Sequence, residues 1–319
     1  LTDEDIAKAK GITVEKESVI VGSGVLFQEV AQKYLRLWDG DLNTKKGYVN
    51  TLNFHWMPHL ALVPIHTISH DDLRELIVSK EFTTAKTLNN CLIPLRGVFE
   101  TAMKSKIITE NPMAGIENKK VQIGIPDPFS REEMNALLDW LDKNMISEDR
   151  FYYWYFEFAF WSGCRPSEML ALKWNDIDWF NSTVRISKSR VRGIEKPVTK
   201  THTIRDVCLN ERSKQALTEI RNLRLHPNYV MYCPETGEPF YSEQPARDRL
   251  VEAMQGCFIR HRPAYNTRHT YATMMLMDGL NPVFVASQLG HSLEMLMKRY
   301  AKWMNGDKNK IEMSKLNTN

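Results

Sequence analysis

The spacing of apolar positions predicts helix along most of this chain, interrupted once by a polar stretch and once by strand-like alternation. Phe27, Val30, Ala31, Tyr34 and Leu35 recur at intervals of three and four, which places them on one stripe of a helix. A second helix is predicted from Thr44 to about Trp56, stopped near Pro58. Ser69 and Asp72 read as an N-cap pair opening a third helix through Leu73, Leu76 and Ile77. A fourth helix carries Leu88, Leu92, Leu95, Phe99 and Ala102 on one face and is followed by the stop signal Asn111-Pro112. Residues 25–118 therefore predict a small all-helical bundle. Ahead of it, Ile12, Val14, Val19 and Val21 suit a small strand pair or an ordered tail, so residues 1–24 are expected to be an N-terminal fragment or the remnant of an arm.

The stretch ENKKVQIGIPDP is polar and aperiodic, and residues 119–128 are expected to link two domains. Ser130 with Glu133 then forms a second capping-box signature. Helices are predicted around 151–160, 167–172, 211–223, 244–254, 267–278, 282–289 and 293–303. Thr183, Val184 and Ile186, and the run 203–209, alternate like strands on either side of a basic turn. The expected class is mainly α: a helical bundle, then a mostly helical domain over 129–319 with one small antiparallel sheet and a polar C-terminal tail.

Composition changes this picture little. A chain of 319 residues with 43% hydrophobic content can build two cores. The formal charge of +3 only weakly favours an anionic partner. No apolar run approaches membrane-spanning length, and the start LTDEDIAKAK lacks the order of a signal peptide, so a cytoplasmic protein with no membrane partner is expected. Cys91, Cys164, Cys208, Cys233 and Cys257 are odd in number and form no CxxC pair. Reduced, mostly buried thiols are expected, and neither a metal site nor a cofactor.

Four patches of the second domain carry candidate chemistry. In SGCRPSEMLALKW, Arg165 sits at a helix start, where a cation opposes the helix dipole. A bound anion there would account for it, with Glu168 placed to hold the guanidinium. In the basic turn, Arg185, Lys188, Arg190, Arg192, Lys196, Lys200 and Arg205 face only one intervening acid, Glu195. A solvated hairpin and a hairpin laid on a phosphate backbone explain that equally well. In AYNTRHTYATMML, Tyr265, Arg268 and His269 fall within one turn. In SQLGHSLEMLMKRYAKW, Gly290 places His291 in a turn and Tyr300 follows nine residues later. Singly, each has a plain structural explanation: a tyrosine at such spacing is more often core than nucleophile.

Taken in order, GCRPSE, KTHTIRDVCL, YNTRHT, LGHS and KRYAK resemble the tyrosine recombinase (phage integrase) family. The resemblance spans about residues 25–305. It implies that Arg165 and Arg268 clamp the non-bridging oxygens of a scissile phosphate, that Lys200 protonates the departing 5′ oxygen, and that His291 donates a hydrogen bond to the phosphate. Tyr300 would then attack to give a 3′-phosphotyrosine. Tyr265 stands where the family carries His or Lys, which leaves the proton acceptor for Tyr300 open. His269 is expected to support the structure rather than the chemistry.

Such a reaction suits these groups. Fixed guanidiniums stabilise the charge that gathers on phosphate oxygens, and a phosphotyrosine conserves the bond so that no ATP is needed. The resemblance further implies duplex attachment sites, a homo-tetramer on DNA, DNA-bending accessory proteins and a nucleoid-associated location in a bacterial host. Lys45, Lys46, Lys86, Arg96, Lys119, Lys120, Arg190 and Arg192 are the expected DNA-binding residues. A prophage or mobile-element integrase is the leading expectation. A type IB topoisomerase-like relaxase, or a DNA-binding relative without catalysis, stays open.

Overall fold

The computed structural model describes residues 24–121, 124–196, 204–223 and 226–304. The expectations for Ile12, Val14, Val19 and Val21, for Lys200 and for the tail beyond Met304 lie outside the described residues. The chain divides into two compact units between Ile123 and Gly124.

In the first unit, α1 (Phe27–Arg36) buries Phe27, Val30 and Ala31. α2 (Leu42–Thr51) does not stop at Pro58 as the sequence suggested. It runs on through a π-helical turn, Leu52–Trp56, into α3 (Met57–Leu60). In that wider turn the amide of Met57 bonds back to the Leu52 carbonyl, five residues away. The register of the backbone ladder shifts just before proline, which has no amide to contribute. Trp56 thereby points inward, fully buried, and donates its indole N–H to the Cys91 carbonyl at 3.0 Å. Ser69 and Asp72 exchange capping bonds at the start of α4 (His70–Ser79). α5 (Ala85–Lys104) then buries Leu88, Leu92, Leu95, Phe99 and Ala102 along one face.

In the second unit, Ser130 and Glu133 cap α6 (Arg131–Asn144) reciprocally. α7 (Arg150–Ser162) is its hub, with buried residues on all sides: Phe151, Tyr152, Tyr155, Phe156, Phe158, Ala159 and Phe160. A helix apolar all round needs cover all round. α8 is only Pro166–Met169. β1 (Ile177–Asp178), β2 (Thr183–Ile186) and β5 (Arg205–Cys208) form an antiparallel sheet with β2 in the centre and Ile186 opposite Arg205. The basic turn is itself a second sheet, β3 (Ser189–Val191) paired with β4 (Ile194–Lys196), where one sheet was expected. Its tip, Arg192-Gly193, has φ of 51° and 74°, the two left-handed positions a tight hairpin requires.

The remaining helices are α9 (Glu211–Leu223), α10 (Gln244–Gly256), α11 (Asn266–Met277), α12 (Pro282–Leu289) and α13 (Leu293–Tyr300). α11, α12 and α13 share a core of Tyr271, Ala272, Leu276, Val285, Leu289, Leu296 and Tyr300. None of the described helices is long and apolar enough to cross a membrane, and the described residues contain no cluster suited to a metal. Of the cysteines only Cys91 and Cys164 are buried, and Cys208 is exposed, which corrects the expectation of mostly buried thiols.

Burial predicts where substitution matters. Leu95→Ala, at a side chain with no exposure, should cost about 2–5 kcal/mol. Phe54→Ala, at a side chain 78% exposed, should shift stability by less than about 0.5 kcal/mol. Urea unfolding of the two variants checks the contrast.

Candidate active site

The site is organised by one buried carboxylate. Glu168, on α8, accepts from the Arg165 backbone N–H at 2.9 Å and from Arg165 Nη1 at 2.6 Å. Arg205 of β5 meets the same carboxylate with both terminal nitrogens, at 3.0 and 2.7 Å. Arg205 Nε donates to the Gln288 carbonyl of α12 at 2.8 Å, and the Gln288 side chain accepts from the Cys208 amide. Glu168 thus ties α8 to β5, and Arg205 carries the tie to α12. Burial pushes the Glu168 carboxyl up, but the Arg205 hydrogen bonds and the charges of Arg205, Arg268 and Arg165 outweigh it and hold the group at about 2.

Arg268, on α11, is completely buried. Nη1 donates to the Gly163 carbonyl at 2.7 Å, while Nη2 donates to the Leu289 carbonyl and to His291 Nε2, the latter at 3.0 Å. Both carbonyls stand next to turns that only particular backbones permit. Gly163 has φ of 62°, and a Cβ there would lie 2.2 Å from the Tyr271 ring. Gly290, at φ 61°, ends α12 and brings His291 to the guanidinium. Burial and the neighbouring Arg165 lower Arg268 to about 10, which still leaves it charged at neutral pH.

An arginine can only donate, so His291 Nε2 is an acceptor and its proton sits on Nδ1. Burial, then Arg268 and the other arginines, push His291 down to about 3, in keeping with a neutral ring. His291 Nδ1 and Arg268 Nε are both buried and have no hydrogen-bond partner among the described residues. Three guanidiniums, Arg165, Arg205 and Arg268, face one carboxylate, Glu168, so these groups carry three positive charges against one negative, a surplus of two. A pocket of surplus cations with unpaired buried donors suits an oxyanion.

Tyr300 ends α13 with 1% of its surface exposed. Its hydroxyl lies 2.6 Å from His269 Nδ1. Its ring stacks on His291, with centroids 6.3 Å apart and planes 17° apart. Burial raises the phenol to about 12 against the pull of Arg268, so it is protonated at neutral pH. Tyr265, 37% exposed, stands edge-on to His269 with centroids 5.1 Å apart. The structure thus brings Arg165, Glu168, Tyr265, Arg268, His269, His291 and Tyr300 together, while Lys200 lies outside the described residues.

Several readings of the sequence need correction. The anion at the helix start of Arg165 is Glu168 of the same short helix, which takes the free amide itself. The basic run is not unopposed. Arg205 is paired with Glu168, and Lys188 reaches Asp176 at 3.6 Å. Arg190 donates to the Phe240 carbonyl and lies over the Tyr229 ring, so it holds the hairpin to the body of the unit. Arg96 likewise bonds Asn118 and the Ile116 carbonyl. Lys46, Lys86, Lys119, Lys120 and Arg192 are exposed, and Lys45 partly so. His269, read as structural, touches the Tyr300 hydroxyl. Arg205 was missed as a site residue, although strand alternation with Val207 puts it on the buried face.

A mostly helical fold with arginines, a histidine and a tyrosine around one pocket is the architecture of the DNA-strand-transferring tyrosine recombinases. The sequence profile of the phage integrase family matches residues 127–305. IntQ of Escherichia coli (strain K12), whose name describes it as a defective protein, is 30% identical over 91% of this chain and 82% of its own. Prophage integrase IntR of the same strain is 29% identical over 75% of this chain, which spans 62% of IntR. The Tn1549 transposon integrase, solved in complex with a circular intermediate DNA, superposes with a TM-score of 0.75 at 20% identity, over 91% of this chain and 99% of that one. The chain belongs to the phage integrase family.

Two predictions follow from the geometry. Glu168→Gln, which leaves buried guanidiniums without their counter-ion, should cost about 3–5 kcal/mol. The Glu168 carboxyl sits lower in the folded state than in the free chain. Its contribution is therefore complete above about pH 4.5 and is lost as the pH falls toward about 2. Stability measured across that window should fall more steeply for the parent than for Glu168→Gln. Gly163→Ala should cost more than about 1 kcal/mol through its left-handed backbone and the Tyr271 ring. Gly124→Ala, in open space, should stay within about 0.5 kcal/mol in the same unfolding assay.

Proposed function

We propose that the chain is a site-specific DNA recombinase, an integrase of a prophage or other mobile element, that cuts and rejoins duplex DNA through Tyr300. The observation that carries this reading is the pair of buried, unpartnered donors, Arg268 Nε and His291 Nδ1, in a pocket that also holds Arg165 and the Tyr300 ring. Arg165 and Arg268 take the non-bridging oxygens of the scissile phosphate, and His291 donates through Nδ1. The Tyr300 oxygen attacks phosphorus and the 5′ oxygen departs, leaving a 3′-phosphotyrosine. Lys200 supplies the proton to the 5′ oxygen, and Tyr265 offers a hydroxyl hydrogen bond beside the phosphate. The surplus of two positive charges matches the added negative charge of the pentacoordinate state better than that of the monoanionic diester, which favours the transition state.

Residues 25–118 and 129–319 act as core-binding and catalytic domains joined by 119–128. Exposed Lys46, Lys86, Lys119, Lys120 and Arg192, with half-buried Lys45, meet DNA phosphates. Exchanging two duplexes breaks four strands, and each copy has one such tyrosine, so a homo-tetramer is the working assembly. DNA-bending proteins assist it, and the reaction takes place on the nucleoid of a bacterial host.

A nicked duplex carrying the junction DNA that flanks the gene tests the reading. The parent chain should form a covalent protein–DNA adduct, which Tyr300→Phe abolishes and Arg165→Ala lowers at least about 100-fold. A parent chain that binds this duplex but forms no adduct would contradict the proposal and favour a binding-only relative. Exchange between two such duplexes, as opposed to relaxation alone, separates a recombinase from a relaxase.

A further inference from the structure

We infer that His269 is the catalytic base that receives the Tyr300 proton. This rests on the reading above, in which the Tyr300 oxygen is the nucleophile. Three observations carry it. First, His269 Nδ1 lies 2.6 Å from the Tyr300 hydroxyl, and both side chains are buried. Phenol is a far stronger acid than an imidazole N–H, so a contact this short has the phenol donating to a bare Nδ1.

Second, the other described groups at the site are in no position to take the proton. The acceptor nitrogen of His291 is occupied by an Arg268 N–H. Both oxygens of Glu168 are bonded to guanidiniums, and the group is held at about 2. Arginines have no lone pair to offer. Tyr265 offers only a phenol oxygen, which is no match for an imidazole nitrogen as a base.

Third, His269 is available as a free base. Burial, then Arg299 and Arg268, push it down to about 4. Among the described residues, the titratable and charged groups around it are Tyr265 and Arg268 on its own helix segment and Arg299 and Tyr300 on α13, with His291 stacked on Tyr300. A phosphate bound by the arginines offsets the positive charge that disfavours imidazolium, so His269 gains proton affinity as substrate arrives.

The Tyr300 oxygen forms its bond to phosphorus while its proton passes to His269 Nδ1. The bond from phosphorus to the 5′ oxygen breaks, and that oxygen takes a proton from the general acid. In the reverse step the 5′ hydroxyl attacks phosphorus and gives its proton back to the conjugate base of the general acid, the bond from phosphorus to the Tyr300 oxygen breaks, and the imidazolium of His269 returns the proton to that phenol oxygen.

The test uses a nicked suicide duplex whose scissile 5′ oxygen is replaced by sulfur. A thiolate leaves unaided, so the only proton in flight is that of Tyr300. Single-turnover adduct formation by the parent chain should be level with pH through the neutral range, fall only on the acid side as His269 becomes protonated in the complex, and show a solvent deuterium isotope effect. His269→Asn keeps a polar atom near the Nδ1 position but cannot take up a proton. It should bind the duplex like the parent, react about 100-fold more slowly or worse, and speed up tenfold per pH unit as hydroxide replaces the base. Fluorinated tyrosine at position 300, a stronger acid, should recover much of that loss.

A parent rate that already rises tenfold per pH unit would overturn the inference, as would His269→Asn within threefold of the parent and with the same profile. The parent measurements decide the matter should His269→Asn fail to fold. A parent chain with no adduct at all would fail the underlying reading instead, so the two failures are distinguishable.

Discussion

The bidentate pairing of Glu168 with Arg205 is the interaction on which the site depends. It lies under the pocket and fixes three separate pieces of chain: the turn that presents Arg165, the strand carrying Arg205, and the end of α12 from which Gly290 and His291 emerge. An ion pair this deep adds little net stability, because both charges lose water. Its value is positional. A carboxylate already saturated by guanidiniums cannot compete for the proton or attract a stray cation, and Arg165 is held at one end only.

Burial sets the chemistry of the other groups. Two histidines beside arginines in a dry pocket are kept neutral, so each ring has one donor and one acceptor nitrogen. Arg268 takes the acceptor of His291 and leaves its N–H to the pocket. The Tyr300 hydroxyl takes the acceptor of His269. The same dryness makes the phenol a weaker acid, so Tyr300 stays protonated while the pocket holds no phosphate. For the nucleophile proposed above, staying protonated without substrate would be a safeguard.

Much of this was legible in the sequence. The 3.6 periodicity of Leu88, Leu92, Leu95 and Phe99 gave a helix its buried face, and the Ser69–Asp72 and Ser130–Glu133 caps form where the spacing put them. The chained boxes around Arg165, Arg268, His291 and Tyr300 named residues that meet in space. What was not legible depends on contacts between distant segments. Pro58 reads as a helix stop, yet a π turn one step earlier removes the need for its amide. Arg190 reads as a DNA contact until Tyr229 and Phe240 arrive from elsewhere in the chain. His269 reads as scaffold because nothing in its own helix says that Tyr300, thirty-one residues on, will place a hydroxyl against it.

The central claim, that one phosphate is gripped by Arg165, Arg268 and His291 from three separate boxes, is tested most directly by a crystal structure of Tyr300→Phe on its uncut duplex. The account requires a single backbone phosphate whose non-bridging oxygens lie within about 3 Å of the Arg165 and Arg268 guanidiniums and of His291 Nδ1. A duplex whose phosphates all lie outside this pocket, with His291 Nδ1 still unpaired, would contradict it.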